Sequence, residues 1–127
     1  MSSPGLSSRT FFDAMNSRDF SDLERHLAPD VTFDFPGAGD INGARRMLVF
    51  LKLLFRKYSR LVFTVKEVLS DSERACVVWT NEGSTAAGEP YRNRGVTIMH
   101  FSGNRIAALS DYFKDTSFSE KAEFLPL

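Results

Sequence analysis

The feature that most constrains this chain is a change in the spacing of its apolar residues near Tyr58. Before this residue, apolar side chains recur every three or four positions, which is typical of helices that bury one face. After it, apolar and polar residues alternate, and turn sequences at 71–73, 87–90 and 103–104 interrupt the alternation. Such short turns join antiparallel strands, because a parallel pair needs a long crossover. The sequence therefore predicts helices first and an antiparallel meander last.

The N-terminal part of the chain predicts two helices. A serine cap at 7–8 begins the first helix, and we expect residues 1–6 to form a flexible tail. A capping-box pattern, Ser21-x-x-Glu24, begins the second helix, and Pro29 ends its run of apolar residues.

The middle of the chain predicts a strand, a loop and a third helix. Alternation over residues 31–35 indicates a short strand, and the Pro- and Gly-rich residues 36–40 indicate a loop. After Asn42 the apolar residues follow one helical stripe as far as Tyr58, which predicts the longest helix of the chain. The strands of the meander are expected near residues 60–70, 74–84, 91–102 and 105–114. The predicted fold class is α+β: one domain over residues 1–127, with two N-terminal helices and a curved antiparallel sheet wrapped around the long helix.

The composition excludes several classes of protein. The 16 Lys and Arg residues balance 16 Asp and Glu residues, so the chain lacks the strong positive field that binding to nucleic acid or acidic membranes needs. Cys76 is the only cysteine, which rules out an internal disulfide and favours a reducing, cytoplasmic location. The N-terminus lacks the pattern of a signal peptide, and no apolar run approaches the ~20 residues that cross a bilayer. We expect a cytoplasmic protein with no nucleic-acid or membrane partner.

Sequence motifs for metals, cofactors and catalytic triads are missing. His26 and His100 lie in separate predicted elements, and the single cysteine has no partner at metal-ligand spacing. The chain has neither a glycine-rich phosphate loop nor a nucleophile elbow. We therefore expect chemistry without a metal or cofactor, such as proton transfer next to a carbonyl group. The 12 Phe residues can supply both an ordinary core and the lining of a cavity.

Two segments of the chain resemble the nuclear-transport-factor-2-like superfamily. The sequences DVTFDFPG at 30–37 and GNRIAALSD at 103–111 are similar to the first and last strands of SnoaL-like polyketide cyclases, ketosteroid isomerases and limonene epoxide hydrolases. Residues 111–113, with Phe118 and 125–127, resemble the end of the epoxide hydrolase in particular. Together with the order of elements, the resemblance implies a cone-shaped sheet around a hydrophobic pocket and homodimers packed through the outer face of the sheet.

The resemblance implies a different outcome for each of these chemistries. The position of the isomerase base is Phe35, and Asp34 lies one residue earlier, which places its side chain on the other face of the strand. The oxyanion-stabilising acid of the isomerase is replaced by Thr97. The hydrolase needs an Arg and an Asp two residues apart, and residues 81–84 contain no such pair. Asp111, by contrast, matches the principal acidic residue that SnoaL-like cyclases carry on the last strand.

Asp111 is therefore the candidate general base. Alternation along its strand would put Ala107, Leu109 and Phe113 on the same face, and apolar surroundings raise the pKa of a carboxyl. The family comparison implies an inward row on the preceding strand: Tyr91, Asn93, Gly95, Thr97, Met99 and Phe101. The expected substrate-binding residues are Tyr91, Asn93, Thr97, Met99, Phe33, Phe35, Leu109 and Phe113.

The outward row of that preceding strand predicts an interface. Val96, Ile98 and His100 would form an apolar patch on the outer sheet face, too large for a stable monomer to leave wet. We expect a two-fold homodimer through this patch, with Arg92 and Arg94 at its polar rim.

Two functions stay open from the sequence. The protein is either a cofactor-free isomerase or cyclase acting on a small hydrophobic carbonyl compound, or a non-catalytic module that binds an apolar ligand or another protein. The sequence also leaves open whether Asp34, Trp79 and Glu82 face the pocket.

Overall fold

A computed structural model gives the structure of residues 3–114. Its elements, in chain order, are α1 (Pro4–Ser17), α2 (Phe20–His26), β1 (Leu27–Phe35), β2 (Gly39–Asn42), α3 (Ala44–Phe55), β3 (Tyr58–Ser70), β4 (Arg74–Thr85), β5 (Pro90–Ser102) and β6 (Arg105–Phe113). Phe118 and residues 125–127, which carry part of the likeness to the epoxide hydrolase, lie outside the described residues. No helix within residues 3–114 is long and apolar enough to cross a membrane.

The strands form one curved, unclosed sheet in the order β2-β1-β6-β5-β4-β3. Strands β3 to β6 pair in an antiparallel meander, as the turn sequences predicted. The sheet is not antiparallel throughout, because β1 pairs with β6 in parallel. The segment expected to be a loop, 36–40, contains a turn and the start of β2, which pairs back on β1 as a hairpin.

The helices differ in length from the expectation. α1 begins at Pro4, where the Ser3 hydroxyl accepts a hydrogen bond from the Leu6 amide at 3.2 Å, so residues 4–6 of the expected tail are helical. With 14 residues α1 is longer than α3, which has 12, so the third helix is not the longest. The apolar stripe of α3 does continue to Tyr58, but the helix ends at Phe55 and Tyr58 already pairs with β4.

The first strand also begins earlier than expected and includes Pro29. Its pairing with β6 is irregular between Leu27 and Thr32, so the missing N–H of Pro29 breaks no regular ladder of hydrogen bonds.

The core lies between α1, α3 and the inner face of the sheet. Phe11 and Phe12 on α1, Met47 on α3, Val77 on β4 and Met99 on β5 are all fully buried there. The Asn16 side chain ties α1 to the sheet: its amide group donates to the Phe63 carbonyl at 2.9 Å and accepts from the Phe63 N–H at 2.8 Å. The helices therefore close one side of the curved sheet and leave its outer face open.

A bulge in β6 changes the predicted alternation. His100 pairs with Ala108, and Phe101 pairs with Ile106, so Ala107 is an extra residue without a partner on β5. Ile106 is 1% exposed and takes the inward place expected for Ala107. The inward face next to Asp111 is unaffected, because the bulge lies beyond Leu109.

Candidate functional site

A cavity of about 60 Å³ lies between the helices and the inner face of the sheet. Aromatic and aliphatic side chains from α1, α3 and the sheet form most of its wall, with a few polar groups from β3 to β6. A protein cavity that holds benzene has a volume of about 150 Å³, so a ligand of that size requires some lining side chains to move. Met15 and Met47 are in the wall and have the flexible side chains that such movement needs.

The cavity brings together most of the residues expected to bind substrate. Its wall includes Phe33, Phe35, Tyr91, Asn93, Thr97, Leu109 and Phe113, together with Asp111. Met99 is the exception: it is fully buried but is not part of the cavity wall. It lies two residues beyond Thr97, where Ala75 and Leu109 flank it in the sheet, and it packs within the core.

A chain of hydrogen bonds orients the Asp111 carboxyl. The Trp79 indole N–H donates to Thr97 Oγ1 at 2.9 Å, and the Thr97 hydroxyl donates to Asp111 Oδ1 at 2.6 Å. Thr97 lies directly opposite Asp111 in the β5–β6 ladder, which explains their short distance. Because Trp79 and Thr97 are both buried, the geometry of this carboxyl is held by rigid neighbours.

The surroundings of Asp111 raise its pKa to about 7. Burial among the rings of the cavity is the largest cause, and the negative charge of Asp34 adds to it. The hydrogen bond from Thr97 acts in the opposite direction, because it favours the ionised carboxylate. Asp111 can therefore both accept and return a proton near neutral pH.

Gly95 lets the Trp79 ring reach Thr97. Gly95 lies directly opposite Trp79, and a Cβ atom on it would lie 2.9 Å from Cζ2 of the indole and would collide with the Tyr112 carbonyl. A side chain on Gly95 would therefore push the ring out of the position from which it donates to Thr97.

A second polar group lines the same cavity, beyond Gly95. Asn93 Nδ2 donates to Tyr91 Oη at 3.2 Å, and Tyr91 is hydrogen-bonded to Tyr58. Burial raises the pKa of Tyr58, so its phenol stays neutral. Asn81 lies directly opposite Asn93 and also faces the cavity.

The structure settles the three orientations that the sequence left open. Trp79 faces the cavity, whereas Asp34 and Glu82 are exposed on the outer side. Asp34 accepts a hydrogen bond from Ser110 at 3.2 Å, and Glu82 lies 4.0 Å from Arg60.

The burial of the side chains on β5 alternates as the sequence analysis expects. Asn93, Thr97 and Met99 are buried, whereas Arg92, Arg94 and His100 are exposed and Val96 and Ile98 are partly buried. Val96, Ile98 and His100 alternate with the cavity residues and point to the outer face, as expected.

Sequence reasoning missed Tyr58 and Asn81 as cavity residues. The helical stripe of apolar residues predicts Tyr58 at the end of the third helix, although the change of period begins beside it. Asn81 lies two residues from Trp79 on β4 and therefore shares its face of the sheet. The sequence alone does not show that this face is the inner one. Within residues 3–114, no three His, Cys, Asp or Glu side chains lie close enough together to hold a metal ion.

Solved structures with the same fold include a provisionally assigned polyketide cyclase from Pseudomonas putida, with 19% identity, a TM-score of 0.86, and coverage of 95% of this chain and 98% of that chain. An NTF2-like protein of unknown function from Burkholderia pseudomallei has 22% identity and a TM-score of 0.84 over 100% of both chains. A provisionally assigned ketosteroid isomerase from Kribbella flavida has 22% identity and a TM-score of 0.72, over 89% of this chain and 78% of that chain. Identities this low establish the fold alone.

No curated protein matches the chain. The family model of the SnoaL-like domain matches residues 8–109, which is most of the chain, and the solved structures share its cone-like α+β architecture. The resemblance read from the two strand motifs is thus confirmed. The chain belongs to the SnoaL-like domain family.

Proposed function

We propose that the protein binds a small hydrophobic carbonyl compound in the cavity and catalyses proton transfer at the carbon next to the carbonyl, with Asp111 as the base. The observation that carries the proposal is one oriented carboxyl, with a pKa of about 7, in a cavity whose wall is mostly apolar. A general base works best when its pKa lies near the working pH.

The proposed reaction needs only this chain's own groups and the substrate. Ionised Asp111 takes a proton from the α-carbon: the C–H bond breaks, an O–H bond forms on Asp111, and the electron pair moves toward the carbonyl oxygen. Where the enolate is conjugated with a C=C bond, return of the proton from Asp111 to the far carbon gives an isomer. Where the enolate attacks a second carbonyl of the same molecule, a C–C bond forms and Asp111 gives its proton to the resulting alkoxide, which yields an aldol-type ring. No oxidant or reductant is required. Thr97 and Trp79 act as positioning residues, because they hold Asp111 rather than the substrate.

Exchange of carbon-bound hydrogen with solvent tests this chemistry directly. We expect the wild-type protein in D₂O to exchange the acetyl methyl hydrogens of 4-methylacetophenone, which lie next to the carbonyl. Loss of their proton NMR signal measures the rate. Asp111→Asn should lower the exchange rate by ~100-fold or more, the usual scale for loss of a general base. Asp40→Asn, which removes an exposed carboxylate on β2, is the matched control and should exchange at the wild-type rate. Equal rates for wild type and Asp111→Asn would remove Asp111 from the catalytic role.

One observation favours a second function, ligand binding without catalysis. Among residues 3–114, the donors beside Asp111 are already used, since Trp79 N–H donates to Thr97 and the Thr97 hydroxyl donates to Asp111. Stabilising the enolate needs a donor aimed at the developing oxyanion, so the substrate or a moved side chain would have to supply it. Saturable binding of 4-methylacetophenone with no exchange above the buffer rate would favour this alternative.

We also propose that the protein is a two-fold homodimer through the outer face of the sheet. The partly buried Val96 and Ile98 on β5 support this, as does Tyr112 on β6, whose large aromatic side chain is 56% exposed. Arg92 and Arg94 are exposed at one end of the same strand, where a polar rim would lie.

A further inference from the structure

Asn81 carries a buried polar atom that the fold leaves unpaired. The residue is 7% exposed, and its Oδ1 has no hydrogen-bond partner among the described residues. A buried oxygen without a donor lowers stability, so each such atom in a folded protein calls for an explanation. Asn81 lies in the wall of the cavity, where a bound molecule could supply the missing donor.

The groups beside Asn81 form a neutral, hydrogen-bonding surface. Asn93, directly across the ladder, donates through Nδ2 to Tyr91 and accepts through Oδ1 from the Arg94 amide at 2.8 Å. Tyr91 in turn is hydrogen-bonded to the neutral phenol of Tyr58. No charged side chain belongs to this part of the cavity wall within residues 3–114, so a neutral donor fits the site.

Charges behind the site argue against a cationic ligand. Asn81 and Asn93 also border a groove on the outer side, which is lined by Lys66, Arg92, Arg94 and Lys114 with Glu82 as its acidic member. This excess of positive charge disfavours an ammonium group at Asn81. A hydroxyl is neutral and can donate to Asn81 Oδ1, which suits both the unpaired atom and its surroundings.

The Asn81 group and the base occupy different parts of one cavity. Thr97, which holds Asp111, and Asn93, which faces Asn81, are four residues apart on β5, about 13 Å along the strand. The Trp79 ring lies over Gly95 between them. A ligand that reaches both groups must carry its hydroxyl at the end remote from the reacting carbon.

We propose that Asn81, with Asn93 and Tyr91, forms a second polar subsite that binds a hydroxyl group of the ligand. The proposal rests on the proposed ligand binding and names its class: hydroxylated apolar carbonyl compounds, such as phenolic ketones. Asn81 is then a specificity-determining residue that touches substrate away from the site of proton transfer.

Two probes that differ in one group test the subsite. We would measure the affinities of 4-hydroxyacetophenone and 4-methylacetophenone by NMR titration for the wild-type protein and for Asn81→Leu. The ratio of the two affinities should shift against the hydroxyl compound by about tenfold in Asn81→Leu, as expected for one lost hydrogen bond. Asn42→Leu, at an exposed position of β2, is the matched control and should keep the wild-type ratio. Asn81→Ala repeats the comparison if Asn81→Leu does not fold.

Thermal unfolding separates a binding role from a structural one. A residue that supports the fold loses stability when it is replaced, whereas replacing an unpaired Asn81 by Leu should keep or raise Tm. The subsite proposal is wrong if the affinity ratio is the same in wild type and Asn81→Leu, or if neither probe binds at about 10 mM. Deuterium exchange distinguishes its failure from that of the catalytic proposal: exchange with an unchanged ratio overturns only the subsite, and a shifted ratio without exchange overturns only the catalysis.

Discussion

At the residue scale, the pKa of Asp111 depends on three influences, two of which raise it and one of which lowers it. Burial by the cavity rings and the charge of Asp34 both favour the protonated carboxyl, while the Thr97 hydroxyl favours the carboxylate. The Thr97 hydroxyl donates to Asp111 while its oxygen accepts from the Trp79 N–H, so the three side chains are coupled. Removing one member of this chain should therefore change both the pKa of Asp111 and the stability of the fold.

Thr97→Val tests this chain with little change in shape. The pKa of Asp111 should rise further, so the pH at which deuterium exchange reaches half its maximum should increase. The buried Trp79 N–H would lose its acceptor, which should lower the free energy of unfolding by about 1–3 kcal/mol. Thr97→Ser keeps the hydroxyl, so its pH profile and its stability in urea unfolding should be close to those of the wild type. A Thr97→Val pH profile equal to that of the wild type would show that the hydrogen bond does not control the carboxyl.

The raised pKa of Asp111 also predicts a pH dependence of stability. The carboxyl has a pKa of about 7 in the folded protein and 3.8 in an unfolded chain, so between these values the unfolded chain is ionised while the folded protein still holds its proton. The free energy of unfolding should therefore decrease by at most about 4 kcal/mol as pH rises from about 4 to about 7. Above that pH it should not change further through this group.

Comparison with Asp111→Asn isolates this contribution, because the other titrating groups are common to both proteins. Relative to wild type, Asp111→Asn should gain stability progressively between pH 4 and pH 7 in urea unfolding series. A difference that does not change with pH would contradict the raised pKa.

At the scale of secondary structure, β5 does most to build the site. Its alternation puts Thr97 beside Asp111 and Asn93 beside Asn81, and its glycine gives the Trp79 ring room between them. The bulge between β5 and β6 lies at the far end of the strand, past Leu109, so it alters the core without changing the face that Asp111 presents.

Gly95→Ala should disturb this strand more than most single methyl groups would. The new Cβ would collide with the Tyr112 carbonyl and crowd the Trp79 ring, and backbone cannot move away as a flexible side chain can. Overpacking of this kind usually costs about 1–3 kcal/mol, and we expect a Tm lowered accordingly, with reduced deuterium exchange. An unchanged Tm, together with unchanged Trp79 fluorescence, would contradict the tight packing of β4 on β5.

At the scale of the whole molecule, the helices cover only the inner face of the sheet. The outer face presents Val96 and Ile98 at its middle, with the exposed Tyr112 beside Val96. The exposed Leu69 lies two strands from Ile98, on the far side of Cys76. A patch of this kind on a sheet is typical of an interface, and the proposed two-fold dimer would bury it on both copies.

Light scattering should give the mass of two chains for the wild-type protein at micromolar concentration. Ile98→Glu should reduce this to one chain, because the two-fold axis brings two buried like charges together. Val49→Glu introduces the same charge at an exposed apolar position of α3, so it should stay dimeric. A wild-type mass of one chain rejects the dimer, and a dimeric Ile98→Glu protein rejects this face as its interface.

The sequence by itself determined what depends on neighbours along the chain. The change of period near Tyr58 and the short turns predicted the antiparallel meander. Alternation divided the side chains of β5 between two faces, and the family resemblance implied which of the two faces is the inward one. The position of Asp111 near the end of the last strand, together with the family resemblance, was enough to select it as the candidate base. These features follow from local backbone geometry, which a pattern of a few residues expresses directly.

The tertiary structure decided what depends on contacts between distant segments. The parallel pairing of β1 with β6, the extra residue Ala107, and the burial of Met99 outside the cavity all depend on the register between strands. The direction of Trp79 and the grouping of Asn81 with Tyr58 depend on it as well. Register is fixed by the packing of the whole sheet against its helices, and a shift of one residue reverses the face of every side chain beyond it.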